Sequence, residues 1–206
     1  KHEARFLATG FLIRTKDTFC LVTAKHVLLD RETGKRLDDH FYVFFNSLDG
    51  KIITRSLDSM KEKYGIDWVF HPNKAVDVAA IPFGLNEKKD DLKVVPENFF
   101  QDVKSLYELY DVFFLSYQPG IEAKESIKPI FRSGVISVLN EDGTFFIDGF
   151  GFPGNSGSPV FLRPSVLRFD RPGVTIGPDS FGGKFIGMVG ESLSYQEVAV
   201  SAQTKR

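Results

Sequence analysis

Short apolar runs recur along the whole chain, cut by Gly, Pro, Asp and Asn. Runs of roughly five to eight residues bounded by turn formers predict strands rather than helices. In the first half they read FLATGFLIR, TFCLVTA, FYVFFN, KIITRSL, DWVFH and DVAAIPF. In the second half they read YDVFFLSY, IKPIFRSGVISVL, TFFIDGF, SGSPVFLR, KFIGMVG and EVAVSAQ. LDG (Leu48–Gly50) and EDG (Glu141–Gly143) mark turns between hairpin-like pairs. Between the halves, Gly84 to Glu108 is rich in Lys, Asp and Glu and carries Pro96, so it reads as a surface connection. Two blocks of about six strands predict an all-β chain of two tandem six-stranded antiparallel β-barrels. The expected division is residues 1–84, a linker over 85–105, and residues 106–206. A site is expected in the cleft where the two barrels meet.

Composition adds limits. The chain has 206 residues, 42% hydrophobic and 26% charged, the profile of a soluble globular protein. Its 21 Phe each need a place in a core. The formal net charge of −1 provides no broad attraction to nucleic acid or an anionic membrane, and neither is expected as a partner. No apolar run reaches the ~18 residues of a membrane span, and no signal-peptide pattern opens the chain. The single cysteine, Cys20, excludes an intrachain disulfide and leaves the compartment open. Because residue 1 is Lys, flanking domains or a regulatory partner outside this stretch are expected.

The stretch GFPGNSGSPVF, ending at Phe161, packs small residues around one hydroxyl just before an apolar strand. All four histidines precede Ser156, which excludes any hydrolase whose histidine follows its nucleophile and leaves the order His, Asp, Ser. His26 ends the run LVTAKHVLL behind the small residues Thr23 and Ala24, where a base can face a cleft. Asp77 opens DVAAIPF, so its carboxylate can be partly desolvated and still reach an imidazole. A serine hydroxyl is a poor nucleophile until an imidazole takes its proton, and an aspartate fixes that imidazole's tautomer. The N–H groups of Gly154 and Ser156 are the expected donors to a tetrahedral oxyanion. Gly154 lets the backbone turn without a Cβ clash, and Gly157 keeps the other side of Ser156 open.

With TAKHV at His26, DVAAIPF at Asp77 and GNSGSPVF at Ser156, the chain resembles the trypsin/chymotrypsin-like serine protease superfamily. LSYQPG, RSGVIS and KFIGMVGES look like its second-barrel strands. The resemblance implies a double β-barrel and hydrolysis of a protein or peptide substrate, with no metal or organic cofactor. It also implies a primary pocket with Phe150 at its base and Gly190, Glu191 and Ser192 along one wall. No Asp stands at that base, so a preference for Arg or Lys is not implied. Digestive members carry Asp before the nucleophile, paired with a freed N-terminus. Here that residue is Asn155, which resembles the disulfide-free HtrA-like branch. The oxyanion loop is then expected to be held by local hydrogen bonds or a partner.

Other readings remain beside this one. A different class, a protease-fold module that binds a peptide or protein partner without turnover, fits the same motifs. Asp67 is a competing acid, but GIDWVF places it within an alternating strand. Cys20 reads as a small buried hydrophobe, and His2, His40 and His71 lack metal-ligand spacing. GPDSFGGKF misses the phosphate-loop pattern, because Phe185 stands where Ser or Thr is needed. The segment Arg163 to Lys184 is an extended loop to which no role is assigned.

Overall fold

The computed structural model describes residues 6–38, 40–118, 127–165, 167–170, 173–176 and 183–191, with 167–170 and 173–176 described by backbone alone. Among these the chain is mostly β with one α-helix. No helix of the described residues is long and apolar enough to cross a membrane.

The first half contributes β1 (Phe11–Arg14), β2 (Phe19–Thr23), β3 (Tyr42–Ser47), β4 (Ile52–Ser56), helix α1 (Leu57–Tyr64), β5 (Val69–Phe70), β6 (Ala79–Pro82), β7 (Asp90–Asp91) and β8 (Val94–Pro96). They form a five-stranded sheet in the order β5-β6-β2-β1-β8 and a three-stranded sheet in the order β4-β3-β7. Inward residues of both sheets close one core: Leu12, Leu21, Phe45, Ile81 and Phe83, with Leu57 and Met60 of α1. The alternation of buried and exposed positions along β3 is the period-2 pattern of a one-sided strand.

The second half contributes β9 (Asp111–Ser116), β10 (Ile130–Leu139), β11 (Phe145–Gly149), β12 (Pro159–Leu162), β13 (Leu167–Asp170), β14 (Gly173–Ile176) and β15 (Phe185–Met188). Five of them form a sheet in the order β11-β10-β9-β12-β15, and β13 and β14 form a separate hairpin. Val112, Phe114, Ile136, Val160 and Ile186 lie in its core. A third cluster uses residues of both halves: Val95, Phe161 and Phe185 are buried, with Phe11, Ile13, Phe113 and Leu115 packed against them. Its ring centroids lie 5.3 Å (Phe11–Phe185), 5.8 Å (Phe161–Phe185) and 5.4 Å (Phe113–Phe161) apart. Each such pair adds about 0.5–1.5 kcal/mol beyond area burial, and of these three the Phe11–Phe185 pair joins one half to the other.

Three features depart from the strand-by-strand expectation. The run KIITRSL ends its strand at Ser56, and a helix begins there. The Ser56 hydroxyl accepts the Ser59 N–H at 3.3 Å, Asp58 sits in the first turn, and Gly65 closes the helix with its N–H on the Lys61 carbonyl. The charged connection is not only surface: β8 pairs in parallel with β1 through Leu12↔Val94, and Asp90 is buried against Arg55. Val95 supplies the apolar position that alternation demands, and Lys93 and Glu97 on either side of it are exposed. The extended loop after Arg163 contains the β13–β14 hairpin. The candidate strand EVAVSAQ lies outside the described residues.

Candidate active site

Chain direction after β2 places His26. Thr23 and Ala24 are buried, and a 3-10 turn over Lys25–Val27 carries the His26 ring away from the sheet. Lys25 ties this turn to the loop before β6. Its Nζ donates to the carbonyls of Lys74 at 2.9 Å and Val76 at 3.0 Å, and its N–H donates to the Asp77 carbonyl at 3.3 Å. Asp77, two residues ahead of β6, is thereby set against His26 by backbone as well as side chain.

The Asp77 carboxylate grips His26 twice. Oδ1 accepts the His26 backbone N–H at 2.9 Å, and Oδ2 lies 2.5 Å from Nδ1 of the ring. Burial pushes the Asp77 carboxyl up, but the two N–H donors of His26 and the charges of His26 and Arg31 together hold it below its ordinary value. An ionised Asp77 requires the ring proton on Nδ1. Nε2 is then the acceptor, and Ser156 Oγ donates to it at 3.1 Å. The sequence-predicted trio therefore lies in one hydrogen-bonded line across the two halves. A hydroxyl so placed can pass its proton to the ring as it attacks an electrophile.

Around Ser156 nearly every peptide group is tied. The Gly154 carbonyl accepts from Thr9 Oγ1 at 2.8 Å and the Ser156 carbonyl from the Thr9 N–H at 2.9 Å. The Asn155 N–H donates to Phe152 at 3.1 Å, and its carbonyl accepts from Ser158 at 2.9 Å. The Gly157 N–H donates to Val189 at 2.7 Å. The N–H groups of Gly154 and Ser156 have no acceptor among the described residues. Gly154 has φ +97°, a conformation that glycine adopts without a Cβ penalty. Gly157 is needed for a different reason from the one its sequence suggests. A Cβ there would meet the Thr9 carbonyl at 2.1 Å and Thr23 Oγ1 at 2.5 Å, so it is the close approach of the first half that demands glycine.

Asn155 is 2% exposed. Oriented to pair donors with acceptors, its amide donates to the Phe152 carbonyl at 2.9 Å and accepts from Arg132 Nε at 3.3 Å. Arg132 stacks its guanidinium 4.2 Å above the Phe152 ring and also donates to Ser116 Oγ at 3.2 Å. A neutral amide thus anchors the loop by hydrogen bonds.

The pocket residues are dispersed. Phe150 is 82% exposed just after β11. Gly190 and Glu191 instead border a cleft of about 660 Å³ that His26, Arg31, Lys74 and Asp77 also line, and Phe150 is not part of its wall. Ser192 lies outside the described residues. Arg31 is the residue that sequence reasoning missed here. It donates to Glu191 at 2.7 Å and reaches Asp77 Oδ2 at 3.5 Å, spanning the cleft. No motif marks it; only the turn after His26 brings it round. Asp67 pairs with Lys61 at 2.5 Å and takes no part in the site. Cys20 lies in β2, where burial pushes its thiol up, and His40 lies 3.7 Å from Asp58. Among the described residues no group of three or more His, Cys, Asp and Glu is arranged to hold a metal.

Residues 8–165 match the trypsin-like peptidase domain family, and the chain belongs to that family. Among solved structures it is similar to the HtrA-type protease AlgW with decapeptide, at 17% identity and a TM-score of 0.47. That alignment covers 87% of this chain and 47% of the AlgW chain, so the chain spans about half the length of that protein. No curated protein matches it.

Proposed function

We propose that this member of the trypsin-like peptidase family is a serine endopeptidase working through an acyl-enzyme. His26 is the general base, Asp77 its orienter and Ser156 the nucleophile. The N–H groups of Gly154 and Ser156 form the oxyanion hole. The observation that carries this reading is the line Asp77–His26–Ser156 at 2.5 and 3.1 Å beside two N–H groups without an acceptor among the described residues. In the first step Ser156 Oγ attacks the peptide carbonyl and its proton moves to His26 Nε2. The Gly154 and Ser156 N–H groups hold the developing oxyanion, and the imidazolium then protonates the leaving amine. Water repeats the sequence to release the acid. The imidazolium forms beside an ionised Asp77, which lowers its cost.

The architecture proposed for this chemistry is the double barrel, with residues 1–84 carrying base and acid, 85–105 linking, and 106–206 carrying the nucleophile. The proposed substrate is a protein or peptide, recognised along the cleft that Gly190 and Glu191 border beside His26, with the exposed Phe150 as a separate apolar contact outside that wall. Glu191 is already neutralised by Arg31 at 2.7 Å, which leaves it a poor counter-ion for a cationic P1 side chain. The exposed ring of Phe150 offers apolar contact, worth about 25 cal/mol per Å² buried. Cleavage is therefore expected after Val, Ala or Leu.

The test is a fluorophosphonate probe followed by digestion of a mixed peptide library. Stoichiometric labelling of Ser156 and cleavage after apolar residues are expected. Labelling that survives Ser156→Ala, or none in the wild type, overturns the assignment. A P1 pattern dominated by Arg or Lys overturns the pocket reading alone.

A further inference from the structure

Thr9 is 2% exposed and uses its polar groups on four residues of three different segments. Its N–H donates to the Ser156 carbonyl at 2.9 Å, and its hydroxyl donates to the Gly154 carbonyl at 2.8 Å. The same hydroxyl accepts the Tyr117 N–H at 2.9 Å, and the Thr9 carbonyl accepts Thr23 Oγ1 at 2.8 Å. It lies just ahead of β1 in the first half, yet two of its bonds land on the residues flanking Asn155 in the second.

We propose that Thr9 is a positioning residue that latches the oxyanion loop from the opposite half of the molecule. The proposal rests on the serine endopeptidase reading above. Peptide groups are planar, so holding the Gly154 carbonyl fixes the 154–155 peptide and holding the Ser156 carbonyl fixes the 156–157 peptide. The 155–156 peptide between them carries the Ser156 N–H, and its carbonyl is held by Ser158. Gly154 is the weak point. Without a Cβ it populates other conformations readily, so its own stereochemistry does not hold the loop. The Thr9 hydroxyl restrains the carbonyl end of the 154–155 peptide, whose N–H end donates to the Phe152 carbonyl. Gly157, which a Cβ would drive into the Thr9 carbonyl, lets the latch come close enough to engage. The alignment of the oxyanion donors then depends in part on the docking of the two halves, beside the bonds the loop makes to Phe152, Ser158 and Val189 within the second.

Thr9→Val keeps the shape and the N–H but removes the hydroxyl, leaving the Gly154 carbonyl without its donor and the Tyr117 N–H without its acceptor. Thr9→Ser keeps the hydroxyl. With a chromogenic peptide substrate, Thr9→Val should lower kcat roughly tenfold to a hundredfold, since displaced oxyanion donors act on the transition state. KM should stay within about twofold, and Thr9→Ser should retain most of the activity. The fluorophosphonate should label Thr9→Val slowly but to the same endpoint as wild type, which an unfolded fraction would not do. Amide hydrogen exchange on the wild type provides a readout that needs no variant: the Thr9 N–H should exchange far more slowly than those of Gly154 and Ser156. If Thr9→Val keeps kcat within twofold, raises KM alone or labels to a lower endpoint, the latch is overturned while the hydrolase reading stands. Exchange of the Thr9 N–H as fast as those of Gly154 and Ser156 overturns it equally, whether or not the valine variant folds. Failure of the wild type to label overturns the hydrolase reading and the latch together.

Discussion

The two halves hold their parts of the site in different ways. His26 and Asp77 are fixed within the first half: a 3-10 turn, the Lys25 anchor and two donors from one histidine to one carboxylate set their geometry. Ser156 sits on a loop held from both halves, by Thr9 on one side and by Asn155 with Arg132 on the other. The His26–Asp77 pair is therefore held by contacts within one half, whereas the loop around Ser156 is held by contacts from both. Damage to the first pair should remain chemical and local. Damage to the second should register in both alignment and packing.

The largest expected effect removes the attacking atom. Ser156→Ala should cut peptide hydrolysis by roughly 10⁴–10⁶-fold, with the melting temperature close to wild type. Steady-state kinetics and thermal unfolding on the same preparation check both halves of that statement. A variant retaining a third of wild-type turnover would remove Ser156 from the mechanism.

Next comes Asp77→Asn, which leaves the backbone contacts but offers Nδ1 no ionised partner. A fall in kcat of about 10⁴ is expected, because the ring loses its correct tautomer. The same change has a pH signature in stability. The Asp77 carboxyl is held below its ordinary value in the folded chain. Its ionised form therefore stabilises the fold above the usual carboxylate range, and that contribution disappears as pH falls through the lowered folded value. Wild type should melt higher than Asp77→Asn at pH 7, and the gap should close below about pH 4. A gap that widens in acid would contradict the assignment.

Arg31→Ala tests how far the first half depends on the strap across the cleft. Arg31 and Glu191 have side chains 50% and 59% exposed, so their pair is worth about 0.2–1 kcal/mol and should weaken in salt. Activity should change less than about tenfold, and the difference between variant and wild type should shrink at high ionic strength. Equal differences at low and high salt would show that Arg31 acts through packing instead.

The smallest effect on the site is expected from Ser56→Ala at the cap of α1. Loss of this cap should cost about 1 kcal/mol in denaturant unfolding and leave kcat/KM unchanged, since α1 packs on the first-half core through Leu57 and Met60 rather than on the His26 ring. A matching loss of activity would mean that the first half transmits strain to the His26–Asp77 pair.

Much of this was legible along the chain because alternation is local. FYVFFN, YDVFFLSY and TFFIDGF each read as strands, since one buried face imposes period 2 on any half-exposed strand. His26, Asp77 and Ser156 could be singled out because small residues or turn formers adjoin each of them, and the structure brings the three side chains together. The helix after Ser56 carried its own signals, Ser56 with Asp58 at one end and Gly65 at the other, but the apolar run KIITRSL obscured them. β8 was hidden because three residues among charges carry too little pattern, and its pairing partner lies some eighty residues away.

The sequence by itself determined which residue types stand where chemistry needs them, and the alternation that makes the chain mostly β. Only the tertiary structure decided how those residues are held. Thr9 and Arg31 carry no motif, and RSGVIS does not mark the bonding of Arg132, because a hydrogen bond to a distant carbonyl or carboxylate asks of the sequence only one donor at one position. Their roles arise where the segment ahead of β1 and strand β10 meet the loop around Ser156, and where the turn after His26 reaches Asp77 and Glu191. The exposure of Phe150 and the pairing of Glu191 with Arg31 were settled in the same way. A side chain's polarity is encoded in its own residue, whereas its solvent contact and its ionic partner depend on what the rest of the chain packs against it.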